Sequence, residues 1–265
     1  EVCSLVYSFS IDHTQEKTSE IGVLANLCDM SISNMKRNIN RLYRRQIVQK
    51  RSDWRAVLPH ALANHLAKEA LEDFGTEMIL ETIDISTTHM LRSFSKRLSF
   101  LHDSKEAQEI FCAWLKLLPM TNPNVWNDVC QYRLEDAAPV IPEQILLFIE
   151  NIYKRDKGKY LLDAFYEHVI VRILSQLAYE PKWFERSIKI LSDLPLKNNK
   201  KEVVVTFFQI AYSGTYASIE QRLQFIQKLL HHEDGSNNRL GINCIERMLQ
   251  CKEQLRYIYR GTESF

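Results

Sequence analysis

The stretch from Ser31 to Phe74 constrains the fold of this chain most, because its hydrophobic period changes from helical to extended and back. Ser31 is suited to cap a helix, since its hydroxyl can accept an orphan backbone N–H of the first turn. Ile32, Met35, Ile39, Leu42 and Tyr43 follow at helical spacing and predict one apolar stripe. Arg37, Arg41, Arg44 and Arg45 fall on the opposite face. The runs 47–51 and 54–58 are short and β-prone, and Ser52-Asp53 between them predicts a hairpin turn. Pro59 suits the first turn of a second helix, where its missing N–H costs nothing. That helix is expected to run through Leu62, Leu66, Ala70 and Leu71 to Phe74, with Gly75 as its stop.

A preceding short helix is expected over 19–30, and another over 1–10. Helix, tight turn, helix and two-stranded wing together form the winged-helix pattern. The only strands expected are the two of the wing. From Ser86 onward the apolar spacing is helical throughout, in segments that suggest antiparallel pairs. Ser218 and Gln221 form a capping-box pattern at one helix start. The expected fold class is therefore mainly α, a winged-helix domain with a short β-hairpin over residues 1–75 and an α-helical repeat-like (α-solenoid) domain over 76–265. No fixed repeat period is visible, so an irregular solenoid or bundle stays open.

Charge is unevenly placed. The chain totals +1, yet 31–55 carries eight cations against Asp53 alone, a local +7 that leaves −6 for the rest. Arg37, Arg41, Arg44, Arg45, Lys50, Arg51 and Arg55 form a basic surface for nucleic acid or for an acidic neighbouring domain. One reading of the whole is then a DNA-binding winged-helix regulator with a helical effector or dimerisation domain, the basic helix entering a major groove.

Catalytic chemistry has little footing. The sequence holds no G-x-x-x-x-G-K-[ST], G-x-G-x-x-G, G-x-S-x-G or H-E-x-x-H pattern, so it does not read as an enzyme. His60 and His65 are five apart on one helix, wrong for a shared metal. The run His231-His232-Glu233-Asp234 reads as the end of a helix, where histidine meets the negative dipole, and no metal is assigned. Trp114, Trp126 and Trp183 read as core. The six cysteines include no C-x-x-C pair and read as reduced thiols of a cytoplasmic protein. No stretch is apolar enough for a bilayer. The start at Glu1, without a methionine, reads as that of an excised fragment.

The hairpin followed by Leu58-Pro59-His60-Ala61-Leu62-Ala63-Asn64-His65-Leu66-Ala67 resembles the end of the winged-helix domain in STAND-type NTPases. These are the apoptotic and immune-receptor ATPases and bacterial relatives in anti-phage defence. Residues 177–186 and 213–222 resemble stretches of bacterial members. In that family a Met-His-Asp signature opens the helix after the wing, and its histidine contacts the phosphates of bound ADP. His60 matches that histidine, while Pro59 and Ala61 replace its neighbours. The resemblance implies a regulatory and sensing fragment. The winged helix relays nucleotide state, His60 senses nucleotide, and the helical array binds a trigger or effector protein. It also implies an upstream NTPase domain as partner, with ATP or ADP and Mg bound in the parent protein and no cofactor in this part. Self-oligomerisation and nucleic acid stay open as further partners.

Overall fold

In the computed structural model, the structure describes residues 1–11, 19–83, 87–118, 128–159, 162, 167–196, 201–210, 213–231 and 235–250. Residues 122–124, Trp126 and residues 253–259 lie outside them.

The described residues are mainly helical, with one small antiparallel sheet. Contact density divides the chain into two compact units, Glu1–Ile145 and Leu146–Phe265. The expected boundary at 75/76 falls inside the first.

In the first unit, α1 (Glu20–Leu27) and α2 (Ile32–Arg44) precede strands β2 (Val48–Arg51) and β3 (Trp54–Val57), and α3 (His60–Phe74) follows. The Ser31 hydroxyl accepts from Asn34 N–H and starts α2 as expected. β2 and β3 pair from Val48↔Val57 to Arg51↔Trp54, so Ser52 and Asp53 form the turn, with Ser52 at φ 53. Gly75, at φ 73, ends α3 in a conformation that L side chains rarely adopt.

Two expectations fail here. Residues 1–10 do not form an α-helix. After a short 3₁₀ turn at Val2–Ser4 the chain extends into strand β1 (Phe9–Ser10), which pairs with β3 and gives the sheet order β1-β3-β2. Phe9 is fully buried, and Tyr7 N–H donates to the Ser93 carbonyl at 3.0 Å. The free edge of β3 and the pocket for Phe9 decide the conformation of this segment, overriding a helical spacing too short to hold by itself. Tyr43 does not join the buried stripe of α2. It is exposed, and only Met35 and Ile39 are buried there. The buried face of α3 is Ala63, Ala67, Ala70 and Leu71, small residues that let the helix lie close to its neighbours, while Leu62 and Leu66 are half-buried.

Helices α4 (Thr76–Ile83), α5 (Thr88–Leu98), α6 (Lys105–Leu117) and α7 (Asp128–Ala137) complete the first unit, and the division falls within α8 (Pro142–Asp156). Ile79, Ile83, Phe94, Leu98, Ile110 and Phe111 are buried, with α4 packed on α1 and α3, α6 on α3 and α4, and α5 on α7. Glu20 fastens the unit from inside. Its carboxylate accepts from Ser10 N–H at 2.6 Å and Thr87 Oγ1 at 2.7 Å, and lies 2.9 Å from His89 Nδ1.

The second unit holds α9 (Glu167–Leu177), α10 (Pro181–Asp193), α11 (Lys201–Thr206), α12 (Ile219–Leu230) and α13 (Gly235–Leu249). Helix α11 ends at Thr206. Phe184, Phe208 and Phe225 meet with ring centroids 6.0–6.4 Å apart. The capping box at Ser218 and Gln221 forms in full. Behind it buried Arg222 donates to the Ala217 carbonyl at 2.9 Å and the Gln209 carbonyl at 2.7 Å. Trp114 and Trp183 are buried, as expected of core residues. Among the described residues no helix is long and apolar enough to cross a membrane.

Candidate functional site

His60 occupies the first turn of α3, directly after the hairpin. Pro59 precedes it as the N-cap and contributes no side-chain acceptor, so the positive end of the helix keeps uncapped N–H groups. The imidazole is exposed and lies over Tyr7, with ring centroids 5.1 Å apart and an interplanar angle of 18°. Tyr7 Oη is 3.4 Å from His60 Nε2, the long end of a hydrogen bond.

Tyr7 connects His60 to a group that sequence reasoning missed. Phe100 stacks on Tyr7 at 6.3 Å, and the Arg97 guanidinium carbon lies 5.5 Å from the Tyr7 ring centre. Arg97 is fully buried on α5. Its Nη1 donates to Asn64 Oδ1 at 2.5 Å, but its Nε and Nη2 are buried with no hydrogen-bond partner. Burial pulls its pKa below the usual guanidinium value, because desolvation disfavours the charge. The signal was present in the sequence. Arg97 sits at helical spacing from Met90 and Phe94, on the apolar stripe of its own helix.

The basic surface divides. Arg37, Arg41, Arg44 and Arg45 are exposed on α2 and just beyond it, and Lys50 and Arg51 are exposed on β2. None of these six has an ion-pair partner among the described residues. Arg55 is not part of that surface. It is buried, and its Nη1 donates to the carbonyls of Ser52 at 2.8 Å and Trp54 at 2.9 Å. The alternation along β3 turns Arg55 inward, where it braces the hairpin turn. Trp54, on the other face, is exposed and meets the His89 ring at 4.2 Å.

Among the described residues the remaining titratable groups assemble no further site. His65 pairs with Glu69 at 3.3 Å on the surface of α3. His231 ends α12, its Nδ1 2.7 Å from the Gln227 carbonyl, as expected of a helix terminus. His232, Glu233 and Asp234 lie outside the described residues. Among the described residues no group of three histidine, cysteine or acidic side chains is placed to hold a metal. The described cysteines are free thiols, and burial pushes Cys3 and Cys244 up to about 12.

Comparison of the chain with family models, curated proteins and solved structures gave no match.

Proposed function

We propose that this chain is the regulatory and sensing part of a cytoplasmic, bacterial STAND-type NTPase. The first unit acts as a winged-helix domain that relays nucleotide state, and the second acts as a helical array that binds a protein trigger. The observation that carries the reading is His60, exposed at an uncapped helix N-terminus immediately after a two-stranded hairpin. Backbone N–H groups and the positive dipole end suit an anionic phosphate there. Tyr7, stacked beneath, holds the ring in a fixed plane. The nucleotide itself belongs to an upstream NTPase domain carrying ATP or ADP with Mg, since these residues contain no phosphate-binding loop.

A charge-assisted hydrogen bond from His60 to phosphate contributes about 1.5–3 kcal/mol. Made only in the closed state, it biases the closed-to-open ratio about ten- to a hundredfold, because only differential contacts move a population. The experiment compares ADP release and trigger-free activity in the full-length protein and its His60→Ala variant. Faster ADP release with activity in the absence of trigger supports the reading. Unchanged values in both assays overturn it.

A further inference from the structure

We propose that the exposed face of α2, flanked by β2, binds the phosphate backbone of double-stranded DNA. This inference stands apart from the nucleotide-sensing reading, because it rests on none of the residues around His60.

Helix α2 contains no acidic residue. Its exposed positions include Ser33, Asn34, Arg37, Asn40, Arg41 and Arg44, a row of donors that is cationic along the C-terminal two-thirds. Arg37 and Arg41, Arg41 and Arg44, and Arg41 and Arg45 stand at the i,i+3 and i,i+4 spacings where like charges weaken a helix. A merely solvated face mixes signs instead. Helix α3 in the same unit does so, with His65 against Glu69 and with Lys68 on the same helix as Glu72 and Asp73. The row on α2 thus concentrates one sign of charge on one exposed face, with Arg41 and Arg44 in the last turn of the helix.

The geometry selects the polyanion. Arg37 to Arg44 spans about 10 Å of helix axis, and B-form DNA presents a negative charge about every 1.7 Å. A helix about 10–12 Å across fits a major groove about 12 Å wide, whereas the major groove of duplex RNA is too narrow for side chains to read. Exposed Lys50 and Arg51 add positive charge to the two faces of the hairpin, and buried Arg55 holds its turn through two carbonyls. No negative group on α2 opposes approach, so recognition is of backbone charge, with little preference for sequence.

The test measures fluorescence anisotropy of a labelled mixed-sequence DNA duplex with the whole chain over a salt series. Four to five neutralised phosphates give a slope of log K against log salt near about −4. Replacing Arg37, Arg41 and Arg44 with alanine is expected to weaken binding at least about tenfold and flatten the slope by about 3. A thermal melt checks that this variant folds. If it does not, Lys50→Ala with Arg51→Ala is the deciding variant, expected to flatten the slope by about 2. His60→Ala is expected to leave DNA binding unchanged. The proposal is overturned by no duplex binding at low salt, by unchanged binding in the deciding variant, or by tighter binding of duplex RNA. Equal competition by polyglutamate overturns it in favour of an acidic protein partner.

Discussion

Tyr7 and His60 lie face to face, 5.1 Å between ring centroids, although 53 positions separate them in sequence. The contact ties the segment entering β1 to the first turn of α3. An aromatic pair of this kind contributes about 0.5–1.5 kcal/mol beyond the area it buries. His60→Ala should therefore lower the stability of the first unit by about 1 kcal/mol in urea denaturation. Tyr7→Ala should cost about 3 kcal/mol, because it also empties the space between His60, Phe100 and Arg97. Equal losses for the two variants would mean that Tyr7 packs against nothing but His60.

Arg51 and Arg55 should respond oppositely to the same substitution. Arg55→Ala removes two charge-assisted bonds to the carbonyls of the hairpin turn and the packing of a buried side chain. It should cost about 2 kcal/mol. Arg51→Ala trims an exposed side chain and should change stability by less than about 0.5 kcal/mol. Denaturant midpoints of both variants decide the matter. A larger loss for Arg51 would contradict the inward orientation of Arg55.

Alkaline pH should destabilise the protein through three buried or bonded acids. Tyr153, donating to Asp193 Oδ2 at 3.0 Å, is pushed from 10.0 up to about 12, by desolvation first and then by the Asp193 charge. Desolvation raises the Cys3 and Cys244 thiols from 9.0 to about 12. Each folded value lies above the unfolded one, so each contribution is complete below the unfolded pKa and lost as pH rises through the folded one. Stability measured by denaturation should hold to about pH 9 and decline between about 9 and 12. Tyr153→Phe should remove part of the decline above pH 10. Stability that stays flat or rises through this window would refute the assignment.

Local physics made α2, the hairpin and α3 legible in the sequence. Ser31, Gly75 and the Ser218–Gln221 pair act within a few residues of their own position, so each could be read without knowing what packs against it. The charge of α2 was equally readable, because exposure of its arginines follows from an apolar stripe on the other side. Strand β1 was not. Two residues of strand carry almost no pattern, and their conformation depends on the edge that β3 offers from more than 40 positions away. Arg55 shows the same limit. Composition placed it with the basic surface, and the alternation of β3 turned it inward.

The sequence by itself determined the mainly helical architecture, the hairpin after α2, and a basic face free of acidic residues on that helix. These follow from periodicity, capping and charge, which act over one or two turns of chain. Only the tertiary structure decided that residues near the N-terminus complete the sheet, that Tyr7 lies over His60, and that Arg97 is buried on Asn64 with two nitrogens unpaired. Each of these joins groups more than 30 positions apart, and such a meeting is set by how whole elements pack, not by the residues beside them.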